Sequence, residues 1–230
     1  MTAPAPGHGL PAAVVLDFDG TIVDSEMPIY RKSAAALAEM GLVLDVPGWA
    51  TVVGHGHDDS YRAMCAAVGT VFDRAEFEAR YDQQEDDSLA ELPALPGVER
   101  LTSAIVAAGI PLGVASSSSQ RWVEGHLVRL GLRDRFDVIA SRDQVGGRTK
   151  PDPASYRWAV EQLGADPAAS VAVEDSAPGI AAARGAGLAV VAVPSEITRH
   201  TDLSAAHRTV ASLDELDVAA LAAVLGTPGP

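Results

Sequence analysis

Four short polar segments hold the residues of this sequence that could do chemistry. The first is Asp17–Thr21, in which two carboxylates stand two residues apart directly after an apolar run. Side chains at i and i+2 of a strand point the same way, so Asp17 and Asp19 would lie close together. A cation such as Mg²⁺ would relieve their repulsion. Gly20 allows a tight turn, and Thr21 would offer a hydroxyl to the same pocket. A plain strand exit is the alternative.

The other three segments supply hydroxyls, a positive charge and more acids. Ser116 and Ser117 open a run of four serines, whose hydroxyls and N–H groups before a helix could bind phosphate. Simple N-capping is the alternative there. Lys150 is one of two lysines beside fifteen arginines, which indicates either a site that needs a point charge or a solvated loop lysine. Glu174 and Asp175 are consecutive acids, better explained by a metal ion than by capping alone.

The elements that must position these segments are short apolar strands alternating with helices. Five runs predict strands buried on both faces: Ala13–Phe18, Pro111–Ala115, Phe136–Ala140, Ser170–Val173 and Leu188–Val193. Helical patterns follow them at Val98–Ala108, Gln120–Leu130, Pro153–Leu163 and Pro178–Ala186. This alternation predicts an α/β fold with a doubly wound parallel sheet. Because ligands bind at the carboxyl ends of such strands, the four segments together predict a magnesium-assisted phosphoryl-transfer site.

One long stretch interrupts the alternation. Between about Ser25 and Leu92 there are only helical patterns, at Ile29–Met40, Asp59–Val68 and Ala75–Leu89. We therefore predict a small α-helical cap domain at residues 25–96, inserted into a core domain formed by residues 1–24 and 97–230. An ordinary crossover connection with extra helices is the alternative.

With these motifs the sequence resembles the haloacid dehalogenase-like hydrolase superfamily. The family's D-x-D-x-T motif is matched by Asp17–Thr21, its Ser/Thr by Ser116, its lysine by Lys150 and its acidic pair by Glu174 and Asp175. The stretches DFDGTIVDSE and VEDSAPGIAAARGAG are similar to the phosphatase and β-phosphoglucomutase branch. Members of that branch have a Rossmann-like core and carry a small helical cap after the first motif, where the helical stretch falls here.

The resemblance implies a role for each matched residue. Asp17 would attack phosphorus and form an aspartyl-phosphate, and Asp19 would act first as general acid and then as general base. Mg²⁺ would be held by the Asp17 carboxylate, the Asp19 backbone carbonyl and Asp175. Glu174 would ligate the metal directly or support a ligand. Lys150 would act with the first serines on the transferring phosphoryl group.

Within the family, the resemblance favours a phosphatase. Asp19 argues against the dehalogenase and phosphonate-cleaving branches, which lack this second aspartate. Ile29 stands where the mutase pattern places a histidine, which favours hydrolysis of a sugar phosphate or phosphoglycolate over a β-phosphoglucomutase-like phosphomutase reaction. A catalytically silent binding protein is a third hypothesis, and it is disfavoured because Asp17, Lys150 and Asp175 are intact alongside Asp19.

The predicted cap holds one loop that could contact the substrate. We expect His55, Gly56 and His57 to face the site when the cap closes, with Arg62 meeting a second anionic group. A plain turn at a helix start is the alternative. The two histidines with the aspartates that follow them could be mistaken for a zinc site, which is disfavoured by the glycine spacing and by the absence of ligands beyond these.

Composition limits the partners of the chain. Its formal net charge is −14 and it has no basic run, which argues against nucleic acid and anionic membrane surfaces. It has no apolar run of the ~18 residues that span a bilayer, and because its first residues lack a basic start and an apolar stretch we expect no secretion signal. Cys65 is its single cysteine, so no internal disulfide is possible. We expect a cytoplasmic protein, a monomer by default, that acts on a small phosphorylated metabolite.

Overall fold

A parallel sheet forms the centre of the molecule. The computed structural model describes residues 9–53, 57–84 and 89–227. Its six strands are β1 Val14–Leu16, β2 Leu112–Ala115, β3 Val138–Ala140, β4 Val171–Glu174, β5 Ala189–Ala192 and β6 Arg208–Thr209. They lie in the order β3-β2-β1-β4-β5-β6, and every neighbouring pair is parallel. The five predicted strands are confirmed, and the two exposed residues of β6 are an addition at the edge.

The order of the strands makes the sheet doubly wound. The chain begins at β1, builds outward to β3 on one side, and returns through β4 to the opposite edge. The direction therefore reverses beside β1, which is flanked by β2 and β4. A crevice forms at the carboxyl ends of the strands at such a reversal, and this is where ligands bind in open α/β sheets.

Helices cover both faces of the sheet, because alternate strand residues point to opposite sides. The described residues contain nine α-helices; five of them pack on the sheet, namely α5 Val98–Ala107, α6 Gln120–Arg129, α7 Ala154–Gln162, α8 Ala177–Gly185 and α9 Val218–Ala222. Val14 and Leu16 point toward the side covered by α5, α6 and α9. Val15 points toward the side covered by α7 and α8. Every residue of β1, β2, β4 and β5 is buried.

The stretch between β1 and α5 is helical, as predicted. It forms α1 Glu26–Glu39, α2 Val46–Ala50, α3 His57–Val68 and α4 Arg74–Gln83. These helices surround an apolar cluster that includes Leu37, Trp49, Met64, Phe72 and Phe77. The chain leaves and returns at adjacent points, since Val23 and Ala94 form an antiparallel bridge. The division into two domains at residues 25 and 96 stays a prediction.

Two helix boundaries in this stretch differ from the predictions. The last helix was predicted to reach Leu89, but α4 ends at Gln83 because Gln84 adopts extended backbone angles. Helix α2 was not predicted, because its five residues are too short for a periodic pattern. It begins where the Asp45 side chain accepts a hydrogen bond from the Gly48 N–H at 2.8 Å. None of the helices in the described ranges has both the length and the apolar character needed to cross a membrane.

Gly97, where the chain returns from the helical stretch to the sheet, offers a test of this architecture. Its φ is +88°, and an added Cβ would lie 2.6 Å from the backbone nitrogen of Asp214. We expect Gly97→Ala to lower the free energy of unfolding by roughly 2–4 kcal/mol, measured by urea denaturation. The control Gly109→Ala also has positive φ but no atom within 4 Å of the added Cβ, and should lose only about 1 kcal/mol. Equal losses in both variants would contradict the close approach at Gly97.

Candidate active site

The four polar segments converge on one cleft at the carboxyl ends of β1, β2 and β4. The cleft has a volume of about 460 Å³. Its lining includes five of the predicted site residues: Asp17, Asp19, Ser117, Lys150 and Asp175. Residues of the helical stretch form the opposite side, among them Glu26, Ile29 and Tyr81. The cleft therefore lies between the strand ends and the helices inserted after β1.

Asp17 and Lys150 form the centre of this cleft. Asp17 follows β1 and is buried, and its backbone N–H donates to the Val173 carbonyl at 2.9 Å. The buried Lys150 ammonium donates to the carboxylates of both Asp17 and Glu174. Burial raises the pKa of Asp17 to about 7, a rise that Lys150 opposes and that Glu174 and Asp19 reinforce. Burial also acts to lower the pKa of Lys150, but the two acids raise it above its ordinary value overall.

Glu174 is fully buried at the end of β4, and both of its carboxylate oxygens accept hydrogen bonds. Oε1 accepts from Lys150 and from the Tyr156 hydroxyl, the latter at 2.6 Å. Oε2 accepts from the backbone N–H of Asp175 at 3.2 Å and from the hydroxyl of Ser176 at 3.3 Å. Gly179 leaves room for this carboxylate, because a Cβ there would lie 1.9 Å from Oε2. Glu174 therefore holds the lysine in place.

Asp175 completes a cluster of three acids. Carboxylate oxygens of Asp17, Glu174 and Asp175 lie within 4.8 Å of one another. Asp175 is buried and accepts from the Thr198 hydroxyl at 3.3 Å. Burial, then Asp17 and Glu174, raise its pKa well above the usual range. Gly20 approaches it so closely that a Cβ would lie 2.2 Å from Oδ2. Three carboxylates beside one ammonium leave an excess of negative charge, which a divalent cation bound by oxygen would balance.

The Asp19 side chain is held by four donors. Its Oδ1 accepts from the Ser25 hydroxyl at 2.7 Å and from the Trp122 indole N–H at 2.9 Å. Its Oδ2 accepts from the hydroxyls of Ser118 at 2.6 Å and Ser116 at 3.3 Å. Asp19 is therefore fixed against the residues that follow β2 and begin α6.

The other serines after β2 make different contacts. Ser117 lines the cleft, and its hydroxyl accepts from the Lys150 backbone N–H at 3.1 Å. Ser116 is buried behind it and accepts from the Ser118 N–H at 2.9 Å. The capping alternative holds for Ser119, whose side chain accepts from the Trp122 N–H at the start of α6.

Two further predicted site residues, Thr21 and Arg62, are not brought to the cleft. Thr21 is buried, does not line the cleft, and has no hydrogen-bond partner for its hydroxyl among the described residues. Arg62 lies on the exposed side of α3, where it pairs with Asp59 at 2.9 Å. His57 is the first residue of α3. The predicted contacts of His55, Gly56 and the His57 side chain lie outside the described part of the chain.

Comparison with known proteins identifies the family. The family model described as haloacid dehalogenase-like hydrolase matches residues 14–193. The chain belongs to this family. It is 39% identical to the protein CbbY of Rhodobacter capsulatus over 84% of this chain and 90% of that protein. It is 32% identical to a phosphoglycolate phosphatase of Rhodospirillum rubrum, over 96% and 93% of the two chains.

Solved structures agree with this assignment. The crystal structure of CbbY from Rhodobacter sphaeroides in complex with phosphate is 30% identical, with a TM-score of 0.73 over 92% of this chain and 99% of that one. A mutant of the same protein was solved with xylulose-(1,5)-bisphosphate, at 29% identity and a TM-score of 0.66 over the same shares of the two chains. The prediction of a haloacid dehalogenase-like phosphatase with an α/β core and a helical insertion is confirmed.

Sequence reasoning missed several residues that shape the site. Trp122 and Ser25 hold Asp19, Tyr156 holds Glu174, and Glu26 lines the cleft from α1. Trp122 stands three residues after Ser119, so recognising that serine as the helix cap would have placed the indole near the serine run. No pattern in the sequence indicated the contact of Tyr156, because 18 residues separate it from Glu174.

Substitutions at two glycines of α8, Gly179 and Gly185, can test whether the site needs Glu174 in its observed position. We expect Gly179→Ala to displace the Glu174 carboxylate from Lys150, and so to lower the free energy of unfolding by about 3 kcal/mol and abolish activity. Gly185→Ala is the matched control in the same helix, because its Cβ would meet only Pro153 at 3.4 Å. That variant should be as stable as the natural chain or slightly more stable. Urea denaturation and phosphate release measure both effects, and a fully active Gly179→Ala would contradict this packing.

Proposed function

We propose that this chain is a Mg²⁺-dependent hydrolase that removes phosphate from a small phosphorylated metabolite through an aspartyl-phosphate on Asp17. The observation that carries the proposal is the buried Lys150 ammonium shared by Asp17 and Glu174 beside Asp175, in a cleft at the sheet reversal. A sugar phosphate or phosphoglycolate is the proposed type of substrate. The phosphate and xylulose-bisphosphate complexes of CbbY and the phosphoglycolate phosphatase among the relatives support that type.

In the proposed first step, a carboxylate oxygen of Asp17 bonds to phosphorus and the bond to the leaving oxygen breaks. Lys150 keeps Asp17 in place and offsets the negative charge of the acids around it. Asp19 gives a proton to the leaving oxygen, so that the dephosphorylated product departs as an alcohol. Because four donors hold Asp19 in this structure, its carboxyl group must exchange some of them to meet the substrate.

In the proposed second step, water attacks the phosphorus of the aspartyl-phosphate. Asp19 takes a proton from that water, the bond between phosphorus and the Asp17 oxygen breaks, and inorganic phosphate leaves. Both residues then return to their starting states. Ser116 and Ser117 are the proposed phosphate ligands together with Lys150, and of the two serines Ser117 lines the cleft.

The residues present fit a divalent cation. The Asp17 and Asp175 carboxylates and the Asp19 backbone carbonyl would hold Mg²⁺, which supplies positive charge to the phosphoryl oxygens when bound. The Glu174 oxygens already accept from Lys150, Tyr156 and the residues after β4, so we propose that Glu174 supports the site through Lys150.

Replacing the nucleophile tests the mechanism. We expect Asp17→Asn to lower kcat on an aryl phosphate on the order of a thousandfold or more, because the amide cannot form the acyl-phosphate. Its fold should persist, since the side chain keeps its size and a buried charge is removed. The control Asp134→Asn changes an exposed acid that does not line the cleft, and should leave kcat unchanged. Turnover by purified Asp17→Asn at the natural rate would refute the proposed nucleophile.

Removal of metal tests the proposed cofactor. Excess chelator should stop phosphate release, and added Mg²⁺ should restore it. Binding can also be read without turnover, because a ligand that binds only the folded state raises the midpoint of thermal unfolding. We expect Mg²⁺ to raise this midpoint for the natural chain and not for Asp175→Asn. Full activity in excess chelator would exclude the metal requirement.

The fate of the phosphoryl group distinguishes the proposed hydrolase from a phosphomutase. Ile29, at the position where the resemblance expects a mutase histidine, lines the cleft with a side chain that cannot exchange a proton. This observation supports hydrolysis. Release of inorganic phosphate in amounts equal to the substrate consumed is the expected result, whereas an isomerised sugar phosphate without free phosphate would identify a mutase.

The cytoplasmic location and the monomeric state stay predictions from the sequence. Cell fractionation and light scattering of the purified chain would test them.

A further inference from the structure

The connection between β5 and β6 touches two different parts of the molecule. It includes one turn of 3-10 helix, Thr198–His200, and its residues Ile197 and Thr198 are each 1% exposed. The Thr198 side chain reaches the acidic cluster of the site, whereas Ile197 belongs to the apolar cluster of the helical stretch. Two consecutive buried residues therefore lie between the site and the inserted helices.

Thr198 binds the carboxylate of Asp175. Its hydroxyl donates to Oδ2 at 3.3 Å, and this is the only hydrogen bond that the carboxylate accepts from the described residues. The second oxygen, Oδ1, accepts none from this part of the chain, and Asp175 lines the cleft. One oxygen is therefore anchored while the other can bind a cation, which is the arrangement of a partner that orients a metal ligand.

The geometry of the turn directs the Thr198 hydroxyl proton to Asp175. A threonine hydroxyl has one proton to donate and two lone pairs that accept. Both lone pairs have a donor within reach, since the backbone N–H and the hydroxyl of Ser195 each lie 2.9 Å from Thr198 Oγ1. The Ser195 Oγ in turn accepts from the Thr198 N–H at 3.2 Å. Ser195 thus fills the acceptor positions of Thr198, and the one proton that remains is donated to Asp175.

Ile197 connects the same turn to the helical stretch. The buried members of the apolar cluster of that stretch run from Met27 to Phe77, and Ile197 is the one described buried member from outside it. Helix α2 lies against the 3-10 turn. Ala50 and Thr198 also line one small cavity of about 220 Å³, so α2 and the turn face each other. The helical stretch therefore rests on the turn that contains Thr198.

These two contacts cannot vary independently. Ile197 and Thr198 are neighbours in the chain, and the hydrogen bonds to Ser195 fix the turn around them. The bond from Thr198 to Asp175 is longer than the ~2.7 Å of a typical hydroxyl hydrogen bond, so a small shift decides whether it persists. A displacement of Ile197 by the helical stretch therefore changes how firmly Asp175 is held.

We propose that the turn Ser195–Thr198 couples the position of the helical stretch to the affinity of the cation site. Thr198 is a positioning residue for Asp175, and Ile197 transmits the placement of α2 to it. By linkage, a bound cation stabilises the same placement of the helical stretch by an equal factor. This inference rests on the proposed function for the identity of the cation, Mg²⁺, and it concerns residues outside the four polar segments.

Mg²⁺ binding to the full chain without substrate tests the role of Thr198. The dissociation constant is measured from the rise of the thermal unfolding midpoint with Mg²⁺ concentration. Thr198→Val replaces the hydroxyl with a methyl group of similar size, and we expect the constant to rise about tenfold or more, the usual effect of losing such a partner. Thr198→Ser keeps the hydroxyl and should stay within about threefold of the natural value.

Kinetics separate positioning from general damage. In Thr198→Val, the Mg²⁺ concentration that gives half-maximal phosphate release should rise by the same factor of about ten. The KM for an aryl phosphate and the kcat at saturating Mg²⁺ should stay within about twofold of the natural values, because the hydroxyl touches neither substrate nor nucleophile. Ser195→Ala, at a half-buried position, removes the hydroxyl that orients Thr198 and should raise the same Mg²⁺ concentration about threefold. This variant keeps the test decisive if Thr198→Val does not fold.

A matched pair of cavity-forming substitutions tests the coupling. Ile197→Ala and Leu203→Ala each truncate a buried side chain of the β5–β6 connection, but Leu203 packs on the side of the sheet covered by α7 and α8. Both variants should lose stability. Only Ile197→Ala should also raise the dissociation constant for Mg²⁺, by about threefold or more. Added to Thr198→Val, it should raise the constant less than about twofold further, because both changes act through one hydrogen bond.

Three results would overturn the inference. A natural dissociation constant in Thr198→Val would exclude the positioning role. An equal effect of Ile197→Ala and Leu203→Ala on Mg²⁺ binding would exclude the coupling, and Ile197→Val supplies the comparison if the alanine variant does not fold. Full additivity in the double variant would exclude a shared route. Mg²⁺-dependent phosphate release by the natural chain beside any of these results would leave the proposed function intact, whereas a natural chain indifferent to Mg²⁺ would refute both.

Discussion

One buried ammonium group determines the arrangement of the site. Lys150 stands between Asp17 at the end of β1 and Glu174 at the end of β4, two strands that are neighbours in the sheet. Without it, three buried carboxylates would share one site, at a cost of several kcal/mol for each unpaired charge. The loop that carries Lys150, the serine whose hydroxyl binds its backbone and the tyrosine that holds Glu174 therefore all serve one contact.

The cluster of buried acids explains two features of the backbone that are far apart in the sequence. Gly20 and Gly179 lie on different elements, but each lacks a side chain where a carboxylate of the cluster comes close. The apolar strands bring the acids together, and the glycines give them space. Packing of the core and preparation of the site are thus parts of one arrangement, so we expect changes that loosen β1 or β4 to affect catalysis as well as stability.

The sequence was informative wherever local pattern decided the outcome. Apolar runs predicted the strands, and the residues after them predicted Asp17, Lys150 and Asp175 as neighbours, because all parallel strands end at one edge. Contacts between distant side chains were beyond such reasoning. Tyr156 looked like any residue of an amphipathic helix, and Glu26 looked like the acid of an ordinary first helical turn. The five residues of α2 and the two of β6 were too short to produce a period.

The bridge between Val23 and Ala94 affects how proteins of this family can change during evolution. All helices from α1 to α4 lie between two chain segments that pass side by side, next to a strand that is paired on both sides within the sheet. Insertions at closely spaced ends add little closure entropy as they lengthen. The helical stretch can therefore change or be replaced during evolution while the residues at the strand ends stay the same. The same site chemistry would then act on a different substrate.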